Sequence, residues 1–150
     1  NDVARIPVLN EKGQVVGIEF LDNFLSKPTK KDNIVVLMAG GLGSRLRPLT
    51  EECPKPMLQI GDRPLLEIIL LNFIEYGFHR FYISVNYKAE IIEEYFKDRS
   101  KWGVEIDYLR EKEKMGTAGS LSMLPMDIVH DPVIVMNADL LAVVCIKPKF

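Results

Sequence analysis

The stretch "NIVVLMAGGLGSRLRPLT", residues Asn33 to Thr50, decides how the chain is read. Its first six residues, Asn33–Met38, are a short apolar run that ends at glycines. That is the pattern of a buried strand. Three glycines and two arginines follow before Thr50. Glycines let backbone N–H groups approach an anion without interference from a Cβ. Arg45 adds a permanently charged guanidinium suited to a bidentate contact. A strand running into such a loop points to a bound phosphate. Two known phosphate loops do not match. The Gly-Lys-Ser/Thr of the P-loop is absent, and Arg45-Leu46 follow Gly43-Ser44 with no third glycine of a dinucleotide fingerprint.

Downstream, strand and helix patterns alternate. The spacing of Leu66, Ile69, Leu70, Phe73 and Ile74 predicts a helix within Arg63–Phe78, with Pro64 near its start and Gly77 at its stop. Arg80–Val85 reads as a strand. Ala89–Gly103 reads as an amphipathic helix with Ile91, Ile92, Tyr95 and Phe96 inside. Val104–Leu109 and Pro132–Asp139 read as further strands, and Thr117–Leu124 as a short helix begun by Gly116-Thr117. Such alternation implies an α/β fold, a mostly parallel sheet with helices on both faces. Ligands on these sheets bind beyond the carboxyl ends of the strands. The glycine loop and Asp139 both stand at such ends.

The first 32 residues have another character. "RIPVLNEKGQVVGIEFLDNFL" reads strand, turn at Lys12-Gly13, strand and short helix, and Ser26–Asn33 is a polar, basic linker. The 150 residues suit a domain with a sizeable core. With 47% hydrophobic and 27% charged residues the chain is globular in composition, and no apolar run reaches membrane-spanning length. A formal charge of −2 offers no global field for nucleic acid. Neither nucleic acid nor membrane is an expected partner. Cys53 and Cys145 lack metal spacing and suit a reducing, cytoplasmic setting. His79 and His130 lack metal-spaced partners, and Trp102 reads as a packing residue rather than a base-stacking platform.

The glycine loop is followed by "PKPMLQIGDRPLLE", and later stretches read "EKEKMGTAGSL" and "VMNADLL". Together these resemble the sugar-1-phosphate nucleotidyltransferases, among them glucose-1-phosphate thymidylyltransferases and mannose-1-phosphate guanylyltransferases. The resemblance spans about Asn33 to Leu141 and implies a Rossmann-like domain of the nucleotide-diphospho-sugar transferase type. It implies joining of a nucleoside triphosphate to a sugar 1-phosphate, with release of pyrophosphate and use of Mg²⁺. By that resemblance the backbone of Ala39, Gly40, Gly41, Gly43 and Ser44 cradles the triphosphate, Leu37 also belongs to the nucleotide-binding residues, and Arg45 contacts the β/γ-phosphates. Lys55, stiffened by Pro54 and Pro56, bridges the α-phosphate and the sugar phosphate. Asp139 holds Mg²⁺. Gly116, Thr117 and Ala118 pack against base and ribose, with Asn86 near the base edge. Arg47 reads instead as a surface charge paired with Glu51 or Glu52.

Two departures stand out. Residues 1–25 resemble the tail of a CBS-type (cystathionine β-synthase) regulatory domain, joined by residues 26–32 to a nucleotide-binding part at 33–150. And "NADLL" runs straight into "AVVCIKPKF", where the family has a helix before the next strand, so residues between Leu141 and Ala142 look absent. The fold is expected to be incomplete at the C-terminus, without the sugar-binding half, and inactive alone. The rival reading is a non-catalytic nucleotide sensor coupled to CBS domains; another is a cytidylyl- or molybdopterin-type nucleotidyltransferase. A homo-oligomer is compatible with either. The base and the sugar stay open, with "MGTAGSL" leaning towards a guanylyl- or thymidylyltransferase.

Overall fold

The computed structural model describes residues 5–20, 28–97, 101–111 and 119–139. Strands β1 (Arg5–Leu9) and β2 (Val15–Phe20) form an antiparallel hairpin, turned at Gly13 with φ +74°. Its Leu9, Val15, Val16 and Ile18 are exposed. The helix expected after it lies outside the described residues. Strand β3 (Lys31–Met38) begins two residues earlier than the apolar run suggests, inside the expected linker. The reason is pairing rather than hydropathy: the Lys31 amide donates to the Gly77 carbonyl, and Lys31 sits opposite Phe78.

After β3 come a 3₁₀ turn at Ser44–Leu46, helix α1 (Leu49–Glu52) and a second 3₁₀ turn at Lys55–Met57. A small hairpin follows, β4 (Gln59–Ile60) with β5 (Arg63–Pro64). Helix α2 (Leu65–Glu75) leads to strand β6 (Phe78–Val85). Helix α3 (Ala89–Tyr95) leads to β7 (Glu105–Arg110), and 3₁₀ turns at Gly119–Met123 and Met126–Ile128 precede β8 (Ile134–Asn137).

The main sheet is wholly parallel, in the order β7-β6-β3-β8. Strand alternation splits β3 between two cores. Val35 and Leu37 join Leu66, Leu70, Phe81, Ile92 and Phe96 under α2 and α3, while Ile34 and Val36 meet Leu109 and Leu124. Among the described residues the second face is covered by 3₁₀ turns instead of an α-helix.

The helix expected across Ala89–Gly103 stops at Tyr95. Phe96 and Trp102 pack into one aromatic group with ring centroids 5.5 Å apart, which takes the chain off the helix axis. Trp102 is therefore a packing residue, as its sequence context suggests. Tyr95 donates its hydroxyl to the buried Glu67 carboxylate and ties α3 to α2. Burial first, and that carboxylate second, push the phenol up to about 12.

Gly77, the predicted helix stop, has φ +89°, and a Cβ there would lie 2.2 Å from the Thr29 carbonyl oxygen. The segment before β3 thus closes over the α2–β6 turn. Gly77→Ala is expected to lower unfolding free energy by more than the 1–2 kcal/mol (approximately) of a left-handed alanine, because backbone must also move. Denaturant titration of the purified protein checks this.

Candidate functional site

The topology brings the loop after β3 and the residue after β8 side by side. β3 pairs on one edge with β6, to which the chain goes next through α2, and on the other with β8, which is reached last among the described strands. A crevice opens at such a switch point. It is a cleft of about 270 Å³ lined by Ala39, Gly41, Gly43, Ser44, Arg45, Lys55 and Asp139, with Met38, Leu46 and Pro56.

The glycine loop is held from below. Gly43 has φ +62°, and a Cβ there would fall 2.9 Å from the Thr50 methyl and 3.2 Å from Lys55 Cβ. Only glycine lets the loop close on α1 and on the Lys55 turn together. Thr50 is fully buried and donates its hydroxyl to the Gly43 carbonyl at 2.8 Å. The Lys55 turn is rigid for its own reasons. Pro54 and Pro56 are buried, Met57 N–H donates to the Pro54 carbonyl, and Leu58 N–H to the Lys55 carbonyl.

Lys55 Nζ donates to Asp139 Oδ2 at 2.9 Å, although the residues are 84 positions apart. Their side chains are 30% and 40% exposed, so the pair stands in the cleft wall in contact with water. Arg45 is exposed on its 3₁₀ turn and lines the same cleft. The arrangement combines loop N–H groups, a guanidinium and an ammonium on one side with a carboxylate on the other. It suits a polyanion with a cation.

The donor set also suits Mg²⁺. Among the described residues no three His, Cys, Asp or Glu side chains cluster into a cage. Mg²⁺ needs none: it keeps several waters and takes one or two carboxylates together with substrate phosphates. Asp139, exposed beside a phosphate-sized loop, is such a carboxylate.

Asn86 lies at the end of β6 rather than in the cleft lining, next to Gly40, with their closest approach 3.4 Å from a Cβ position on Gly40. Its amide donates to the Glu111 carbonyl at 3.2 Å. Glu111, the first residue of "EKEKMGTAGSL" and given no role from the sequence, follows β7 at the same level. Its carboxylate takes the Ser84 hydroxyl at 2.7 Å and reaches within 3.4 Å of the same Gly40 position. An acidic residue directly after a parallel strand was the available signal.

The Leu37 side chain is fully buried with the α2 and α3 residues, while its neighbours Met38 and Ala39 line the cleft. Arg47 is exposed but forms no ion pair with Glu51 or Glu52 among the described residues; it stays solvated on the turn before α1. His79 meets Asp32 at 3.5 Å, away from the cleft, and His130 is exposed. Gly116, Thr117, Ala118 and the Leu141–Ala142 junction lie outside the described residues. No helix among the described residues is long and apolar enough to cross a membrane.

Comparison with known proteins agrees with this geometry. The nucleotidyl transferase family model matches residues 34–145. D-glycero-alpha-D-manno-heptose 1-phosphate guanylyltransferase of Campylobacter jejuni is 38% identical over 104 residues, covering 69% of this chain and 46% of that protein. Mannose-1-phosphate guanylyltransferase of Mycobacterium tuberculosis is 35% identical over 107 residues, covering 71% and 30%. The crystal structure of HddC from Yersinia pseudotuberculosis complexed with GMP-PN superposes with a TM-score of 0.62 at 30% identity, over 71% of this chain and 48% of that one. The chain thus spans about half the length of the Campylobacter relative, and less of the mycobacterial one.

A half-exposed ion pair contributes at most about 1 kcal/mol to folding. Lys55→Ala and Asp139→Asn should therefore each keep unfolding free energy within about 1 kcal/mol of the parent. Chemical denaturation measures this, and a larger loss would make the pair structural.

Proposed function

The chain belongs to the nucleotidyl transferase family, and from that premise we propose that it is the nucleotide-binding part of an enzyme that transfers a nucleotidyl group from GTP to a sugar 1-phosphate. The observation that carries the reading is the meeting of the glycine loop, Arg45, Lys55 and Asp139 in one cleft at the switch point of the sheet.

Both substrates are anionic, so the barrier is charge repulsion and positioning, and no protein nucleophile is needed. An oxygen of the sugar phosphate attacks the α-phosphorus in line. The new P–O bond forms as the bond to the bridging β-phosphate oxygen breaks, and pyrophosphate leaves with that electron pair. The loop amides from Ala39 to Ser44 hold the triphosphate. Arg45 offsets the charge growing on the leaving pyrophosphate. Lys55, released from Asp139, stands between the α-phosphate and the sugar phosphate and offsets their repulsion. Asp139 would hold Mg²⁺, which when bound screens the phosphate charge and polarises phosphoryl oxygens. Free Cys53 and these substrates fit a cytoplasmic setting.

The names of the relatives favour guanine, and Glu111 offers a chemical reason. Its carboxylate, which accepts the Ser84 hydroxyl, lies beside the glycine loop, 3.4 Å from the position of a Cβ on Gly40. Guanine alone among the common bases presents two adjacent donors, N1–H and N2–H, to such an acceptor. Residues 1–25 we read as the tail of a CBS-like domain, on the strength of an apolar hairpin exposed on both strands, with residues 26–32 as its linker into the nucleotide-binding part at 33–150.

The test uses the full-length protein with four NTPs and a panel of hexose and heptose 1-phosphates, following pyrophosphate release. GTP-dependent release is expected. Nucleotide binding without release would favour the sensor reading. Arg45→Ala is expected to lower turnover roughly 10²–10³-fold, and a change of only a few-fold would remove it from the mechanism. Glu111→Gln should narrow the preference for GTP over ITP, which lacks the N2 amine, by at least about fivefold, the equivalent of one hydrogen bond of roughly 1 kcal/mol. An unchanged GTP/ITP ratio would separate Glu111 from base choice.

A further inference from the structure

Thr50 is a fully buried residue whose hydroxyl bonds the glycine loop. Its Oγ1 donates to the Gly43 carbonyl at 2.8 Å, and its methyl fills the space a Cβ on Gly43 would need. Its own carbonyl accepts the Tyr87 hydroxyl at 3.4 Å; the same hydroxyl reaches the Glu51 carbonyl at 3.3 Å, where Lys88 Nζ also donates. The turn after β6 therefore holds α1, α1 holds Thr50, and Thr50 holds Gly43 in its left-handed conformation. Gly43 in turn touches the stem of Lys55. We propose that Thr50 is a positioning residue: its hydroxyl fixes the glycine loop and the Lys55 turn in the one relative arrangement that receives the triphosphate. It touches no substrate and acts through Gly43. The inference rests on the reading of the loop as the triphosphate cradle.

The experiment compares Thr50→Val, which keeps the shape and removes the donor, with Thr50→Ser, which keeps the donor and removes the methyl. Both are made in the full-length protein. Calorimetry with MgGTP gives affinity, pyrophosphate release gives kcat and KM, and thermal unfolding gives stability. Leaving a part-buried carbonyl without its donor is expected to weaken GTP binding roughly 5- to 100-fold in the valine variant. The serine variant is expected to stay within about threefold of the parent, whatever its loss of stability, because the donor is kept. A purely structural role would move the unfolding temperature of both variants and the affinity of neither. Equal affinity losses in the two variants, or parental affinity in Thr50→Val, would overturn the proposal. If the valine variant does not fold, Tyr87→Phe decides, since it removes a bond to α1 from a half-buried site. A two- to fivefold weaker GTP affinity supports the proposal, and parental affinity overturns it. Failure of the parent itself to bind any NTP would instead overturn the cradle reading.

Discussion

The structure depends on one arrangement of backbone hydrogen bonds: β3 pairs in parallel with β6 on one side and β8 on the other. Parallel neighbours cannot be joined by a tight turn, so every connection must cross a face of the sheet. The crossings through α2 and α3 run one way from β3, and the path to β8 runs the other. What remains at the carboxyl end of β3 is a crevice lined by the glycine loop, Lys55 and Asp139. Met38 and Ala138 exchange a backbone bond at its floor, from the Ala138 amide to the Met38 carbonyl at 3.0 Å. That bond fixes the level at which the glycine loop and Asp139 leave the sheet.

Much of this was legible because it rests on period and composition. The runs Asn33–Met38 and Arg80–Val85 are too apolar for a surface strand, and the i, i+3, i+4 spacing after Pro64 has one natural reading. What was less legible depends on contacts between distant segments. Lys31 and Asp32 are polar and read as linker, yet they extend β3 because Gly77 and Phe78 offer partners. Ala89–Gly103 keeps helical spacing beyond Tyr95, and burial of Phe96 with Trp102 overrides it. The 3₁₀ turns covering the second face have no strong periodicity to detect, being three to five residues long.

The site divides in the same way. Arg45, Lys55 and Asp139 are charged residues at element ends, and their convergence follows from the topology once the strands are assigned. That the Leu37 side chain faces the core under α2 and α3 was not legible, because strand parity near a strand end is invisible without the register. Thr50 carries no individual signal, and Glu111 only its place directly after a strand. One looks like a solvated helical threonine, and the other like one more acid in a charged run. Their environments, a closed contact beneath Gly43 and a hydroxyl from the buried Ser84, exist only in the fold.

The Lys55–Asp139 pair joins the Lys55 turn to the end of β8. Two opposite charges at 2.9 Å, each still 30–40% exposed, gain little in net free energy because water screens them and their side chains are held in place. A pair that adds so little to folding, yet joins residues 84 positions apart in the wall of a cleft, is poorly explained by stability. It is better explained by what each charge can exchange it for. A phosphate offers the ammonium up to three oxygens, and a hard cation offers the carboxylate a stronger partner than an ammonium. In the proposed function both partners would reach the cleft together on a metal-bound nucleotide, and without it each residue keeps the other's charge compensated at small cost.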